Sequence, residues 1–392
     1  MDQQAKSLQW RLRQWSRGAV LLLALAVLAA LFILTGLAAG YYRDKRAELA
    51  QQWFARGDRA LKGGRPREAI DDLRNALSYA PDDAAYQLRL AQALAAANQL
   101  DEAETYLSDL WARQPGSGEI NLELARLEAR KGGGDAARYY DNAIYGVWET
   151  DPVERRWQTR LELFAYWRAH GNLGQAQAEL LAMAAATPED DYRRHSLIGQ
   201  LQLASGNPRQ ALTQFQAALR ANRRWPPALE GAGEAEFAIG DFRGAIRYLD
   251  AAVRADRGDK DVAEKLLVAR LVLSDDPFAI GLDEKQRMAL AAAAFDQAQA
   301  ELRACAYQRG VDVEAASGEN DFVRAWTQGK QLGPLLRRLR HKPENIVQVM
   351  DFVFSAENLA AARCGPLEGK DQALWLIGKQ HHLAEASAGA GR

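Results

Sequence analysis

A period of about 34 residues governs the middle of this chain and limits the folds open to it. From Trp53 the pattern runs Gly57, Ala60, Ala69, Leu73, Ala76 and Pro81, and it returns at Gln87, Ala91, Leu94, Ala103, Leu107, Leu110 and Pro115. The same register recurs at Arg160, Phe164, Trp167, Ala176, Leu180, Met183 and Pro188. It recurs again at His195, Gly199, Gln202, Ala211, Phe215 and Ala218, and at Leu229, Gly233, Glu236, Ala245, Leu249 and Ala252. Small residues at the eighth and twentieth places let two antiparallel helices approach to about 8–10 Å. Larger residues at the seventh and twenty-fourth places, such as Leu90 with Leu107 and Ile198 with Phe215, fill the space between units. No such unit buries its apolar face alone, so neighbours must stack, and the stack curves around a concave groove. The pattern therefore predicts a binding surface before it predicts any chemistry.

Composition agrees with an all-α fold: alanine and leucine dominate, and Pro and Gly fall mostly at helix junctions. A length of 392 residues allows two or three domains. A formal net charge of −1 leaves no basic excess to neutralise phosphates, which argues against a nucleic-acid partner.

In chain order, residues 1–17 form a basic tail (Lys6, Arg11, Arg13, Arg17), and residues 18–40 carry no charge. As a helix that run spans about 33 Å, enough for a hydrocarbon core of about 30 Å. Trp10 and Trp15 before it and Tyr41 and Tyr42 after it match interfacial aromatic belts. The competing reading is a cleaved signal peptide, given the small residues Ala38, Ala39 and Gly40; the apolar run exceeds the usual h-region of about 7–15 residues, which favours a retained transmembrane helix. Residues 41–49 are expected as a juxtamembrane linker and 50–259 as a solenoid of six repeats. The third repeat is degenerate, with its turn at Gly132, Gly133 and Gly134, and an insertion follows at 148–156. There Asp151, Pro152 and Glu154 read as an N-cap, a first-turn proline and an N3 glutamate, so repeat four should open with an extended helix. Residues 260–282 look like a partial seventh repeat. Residues 283–383 are helical but off the pattern, either a capping bundle or a separate docking domain, and 384–392 read as a disordered tail.

Catalytic constellations are absent from the sequence. Lys62, Gly63, Gly64, Arg65 and Pro66 read as the turn of repeat one, not as a phosphate loop, and Gly231 and Gly233 lie within a helix with no strand before them. The five histidines, at 170, 195, 341, 381 and 382, show no metal-ligand spacing, and no Cys-x-x-Cys pair occurs. The chain is read as a non-enzyme without metal or cofactor. Cys305 and Cys364 are its two cysteines. Two readings stand: buried small hydrophobes, or a Cys305–Cys364 disulfide fixing the C-terminal bundle if that part lies in an oxidising space.

The repeat resembles the tetratricopeptide family over roughly half the chain, and the anchor-plus-repeats plan is similar to bacterial single-span tetratricopeptide proteins. The resemblance implies a right-handed α-solenoid with a helical C-terminal cap behind the transmembrane helix. It also implies that inward positions of each first helix line the groove: Phe54, Asp58, Leu88, Gln92, Arg126, Arg130, Leu161, Arg168, Gln200, Glu230, Glu234 and Phe237. The Lys, Asn and Arg cluster with which chaperone-binding members grip a terminal carboxylate is missing here. The expected role is a membrane-anchored scaffold whose groove recruits partner proteins, as a peptide segment or helix, at the cell envelope. An accessory role in exopolysaccharide or envelope-glycan assembly or export is the alternative. The basic tail before the span puts the N-terminus in the cytoplasm and the repeats outside the inner membrane.

Overall fold

The computed structural model describes residues 2–256, 258–314, 320–338 and 344–389, and every regular element among them is helical. The chain divides into two compact units, residues 1–176 and 177–392.

The first unit begins with α1 (Asp2–Lys62), 61 residues long and therefore roughly 90 Å from end to end. Its portion Leu22–Lys62 is long and apolar enough to cross a membrane, with a mean hydropathy of 2.7 over its most apolar window, and no residue of that window is buried inside the molecule. Residues 41–49 are part of the same helix, which runs unbroken into the first helix of repeat one. The sequence explains the continuity: apart from Asp44, residues 43–52 are all Ala, Leu, Glu, Gln, Lys or Arg, good helix formers, and the first proline after the span is Pro66. Arg46 donates to the carbonyls of Ser78 (3.5 Å) and Tyr79 (3.0 Å), the open end of the returning helix α2 (Pro66–Tyr79). A cation there also suits the helix dipole.

The helices α3 (Ala84–Ala96), α4 (Leu100–Arg113), α5 (Gly118–Lys131) and α6 (Ala136–Tyr145) complete repeats two and three, and α7 (Pro152–Ala169) opens repeat four. Close crossings occur where the small residues predict them: a Cβ on Gly57 would meet Leu73 Cγ at 2.8 Å. The insertion after α6 is anchored. Trp148 is buried against Gly118, and its Nε1 donates to Ala143 O at 2.9 Å. Backbone bonds from Gly118 N to Val147 O (2.8 Å) and from Val147 N to Gly116 O (2.9 Å) tie the same segment down. Helix α7 is extended, 18 residues against 13 and 14 for α3 and α5. The Asp151 cap, however, is not made: that residue is left-handed (φ 46°) with no side-chain cap bond. An N-cap needs β-region backbone to reach the next amides.

The second unit carries the rest of α8 (Leu173–Ala186), then α9 (Tyr192–Ala204), α10 (Pro208–Ala221), α11 (Pro226–Ile239) and α12 (Phe242–Ala255) as repeats. Asp191, Asp241 and the later Asp259 accept amide bonds at 3.0–3.1 Å and start their helices, as N-cap aspartates should. Phe215 on α10 is fully buried between two glycines. A Cβ at Gly199 would meet its ring at 2.8 Å and one at Gly231 at 2.2 Å.

Helix α13 (Lys260–Asp275) opens a seventh repeat whose second helix is missing from the next stretch of chain. Its partner comes from about 100 residues on: α17 (Gly369–Gly389) packs along it, so the register breaks in sequence while a packed pair persists in space. Between them α14 (Glu284–Gln308), α15 (Asp321–Arg338) and α16 (Glu344–Cys364) build the bundle. One apolar core runs from Leu229 and Leu249 through Val268, Phe295 and Phe352 to Leu374, so these helices cap the last repeats. Cys305 on α14 and Cys364 at the end of α16 form a disulfide with a Cα separation of 5.9 Å. Residues 315–319, between α14 and α15, lie outside the described residues. Helix α17 continues through 384–389, where composition predicts a disordered tail, and 390–392 lie outside the described residues.

Candidate functional site

Four pairs of neighbouring first helices are joined by polar rungs, and each of these rungs follows one rule. The residue at the ninth place of one repeat bonds the residue at the sixth place of the next. Asp58 on α1 pairs with Arg89 on α3. Gln92 on α3 donates to Glu123 on α5 at 3.1 Å. Arg126 on α5 grips Glu162 on α7 with two bonds, of 2.9 and 2.6 Å. In the second unit Glu234 on α11 pairs with Lys265 on α13. Short bonds within helices link the rungs of the first unit: Lys62 to Asp58 (2.7 Å), Arg89 to Gln92 (2.7 Å) and Arg126 to Glu123 (2.8 Å).

The electrostatics follow from this pairing. Burial acts to raise the Asp58 carboxyl, and the bonds from Lys62 and Arg89 outweigh it and hold it below the usual range. Burial holds Glu123 above that range, although Arg126 and Gln92 pull it back. Burial, and then Glu162, pushes the Tyr140 hydroxyl up to about 12, so it stays protonated and able to donate.

Two recesses open on these faces. The first, of about 440 Å³, has small apolar residues such as Ala95, Ala129 and Leu127 in its wall, with Gln92, Arg126, Arg130 and Tyr140 around them. Arg130 is held by Ala95 O (2.6 Å) and Asn98 Oδ1 (3.1 Å). The second, of about 290 Å³, lies in the other unit between Gln200, Leu203, Pro227, Glu230 and Glu234, with Phe215 beneath. The residues expected in a groove thus fall into two sets. Asp58, Gln92, Arg126 and Arg130 join the first network or its recess, and Gln200, Glu230 and Glu234 line the second.

The remaining groove candidates do other work. Phe54 stacks on Tyr86 with ring centroids 4.5 Å apart, and Leu88 packs against the core of repeats one to three. The Arg168 guanidinium sits over the Phe164 ring, 5.7 Å from its centroid, and Phe237 meets Phe242 edge-on at 5.2 Å. Leu161 is half-buried on α7. Sequence reasoning missed Arg89, Glu123, Glu162 and Lys265. All four occupy the sixth place, and opposite charges at places nine and six, present in three of the four pairs, were the available signal. Among the described residues no group of three or more His, Cys, Asp or Glu could hold a metal ion.

Two family models, each described as a tetratricopeptide repeat, match residues 60–130 and 197–260. The chain is a tetratricopeptide-repeat protein, and that fold is one of protein–protein interaction scaffolds. No curated protein matches it. Solved structures similar to it include PilW, a widely conserved type IV pilus biogenesis factor, at 18% identity and a TM-score of 0.37, over 55% of this chain and 96% of that one. YrrB, a tetratricopeptide protein with an unusual peptide-binding site, aligns at 18% identity and a TM-score of 0.35, over 49% of this chain and 95% of that one. The C-terminal part of a tetratricopeptide protein from Cytophaga hutchinsonii aligns at 15% identity and a TM-score of 0.43, over 61% and 93%. At these scores the likenesses carry no argument about partners.

Proposed function

We propose that this protein is a membrane-anchored scaffold that holds a segment of a partner protein on the inward faces of its repeats at the cell envelope. The observation that carries the reading is the unbroken helix α1, whose apolar span and first repeat are one element. Without a hinge, the first repeat stays at a fixed height. Asp58 lies 16 residues beyond Tyr42, roughly 24 Å further along the helix axis. The two recesses, with apolar floors and polar rims, are what a partner's side chains need for burial and orientation. The basic tail before the span favours a cytoplasmic N-terminus, and a Cys305–Cys364 disulfide accords with repeats in an oxidising space.

The test has two parts. The full chain should remain with membranes after alkaline carbonate extraction, and protease added outside spheroplasts should digest the repeats. Detergent-solubilised protein should co-purify with a partner that is lost when Ala95→Trp fills the first recess and Gly231→Leu disrupts the second. Release by carbonate, protection from external protease, or a partner unaffected by both variants together would contradict the reading.

A further inference from the structure

The rungs that join neighbouring first helices are broken at one place inside the second unit. Between repeats five and six the ninth place is Gln200 on α9 and the sixth place of the next helix is Gly231 on α11, which has no side chain to answer it. Any side chain there would crowd the Phe215 ring. A Cβ at Gly231 would lie 2.2 Å from Phe215 Cζ and within 2.7 Å of two further ring atoms. Packing of Phe215 therefore removes the rung, and the recess of about 290 Å³ opens at that gap.

Its charges are out of balance. Glu234 is already committed to Lys265. Glu230, half-buried one helical turn before it, makes no hydrogen bond or ion pair among the described residues, and neither does Gln200. Burial, then Glu234 and Asp259, hold the Glu230 carboxyl above its usual range, with Lys265 only partly relieving it. The first unit differs: there Asp58, Gln92 and Arg126 all have partners within the chain.

We infer that the gap between Gln200 and Gly231 is a binding pocket for a basic side chain, arginine or lysine, of the protein segment that the scaffold holds. The aliphatic stem would lie over Phe215, Leu203 and Pro227, as long basic side chains lie on apolar surface. The cationic head would bond Glu230 and the Gln200 carbonyl, restoring from outside the rung that Gly231 leaves out. This rests on the reading of the groove as a protein-binding surface.

The test uses the full chain, immobilised in detergent micelles, and four nine-residue peptide libraries. These are randomised except for a central arginine, lysine, citrulline or norleucine. The arginine and lysine libraries should be retained about tenfold better than the citrulline and norleucine ones, the size of one good charge-assisted bond. Glu230→Gln should erase that preference, and Glu230→Asp should keep most of it. Equal retention of arginine and citrulline, or a preference that survives Glu230→Gln, would overturn the inference while leaving the scaffold reading intact. Retention of none of the four libraries, together with no partner recovered from membranes, would overturn both.

Discussion

Replacing Gly231 by alanine tests the packing that shapes the second recess. The added Cβ would approach three Phe215 ring atoms at 2.2, 2.4 and 2.7 Å, contacts that real Cβ atoms do not make. The ring has little room to retreat, because it is fully buried and the Gly199 backbone faces its other side, close enough that a Cβ there too would meet the ring at 2.8 Å. Overpacking of this kind costs about 1–3 kcal/mol, against a helix-propensity gain of up to about 1 kcal/mol for Gly→Ala. Gly174→Ala is the control: it is helical and has nothing within 4 Å, so it keeps the gain without the clash. The difference between the two variants, about 1–3 kcal/mol, isolates the packing cost, and at about 2–4 °C per kcal/mol it is readable by differential scanning calorimetry of the solubilised protein. Adding Phe215→Leu to Gly231→Ala should cost less than the two single changes together, because the smaller side chain makes room for the methyl. Equal melting temperatures for Gly231→Ala and Gly174→Ala, or strict additivity in the double variant, would refute the reasoning.

Other consequences are open to measurement. A double-mutant cycle on Arg126→Ala and Glu162→Ala should give a coupling of about 0.5–1 kcal/mol in urea melts, because both side chains remain partly exposed; zero coupling would mean the rung is decorative. Reducing Cys305–Cys364 opens a closed loop with a sequence separation of 59, worth up to about 4 kcal/mol by chain entropy, and should lower the melting temperature of the C-terminal bundle. A melt insensitive to reductant would count against that. Burial, then Asp371 and Glu301, push the Glu357 carboxyl from 4.5 up to about 9. The folded state then holds a proton that the unfolded chain releases above about pH 4.5, so stability falls as pH rises from there to about 9. Glu357→Gln should flatten that slope; an unchanged slope between pH 5 and 9 would exclude Glu357 as its source.

The repeats were legible because their signal is periodic and local. Gly57, Gly199 and Gly233 sit at crossings where a Cβ would meet the facing helix at 2.6–2.8 Å, as small residues at the eighth place require. Two features escaped for a physical reason: they depend on contacts distant in sequence. Nothing near α13 announces that α17 will serve as its second helix, and nothing near Trp148 announces that it will be buried against Gly118, on the first helix of repeat three. The groove was legible as a face but not as a network. Its ninth-place residues were expected, whereas their sixth-place partners became visible only when neighbouring helices were stacked.

The central claim, that partner proteins are held on the inward faces of the repeats, is tested most directly by site-specific photocrosslinking in native membranes. A photoreactive residue would replace Gln92 or Gln200 in the two recesses, and Arg67 or Arg209 on exposed second-helix surfaces. The account predicts discrete protein adducts from Gln92 and Gln200 and none from Arg67 or Arg209. Adducts of equal yield at all four positions, or none at the recess positions, would contradict it.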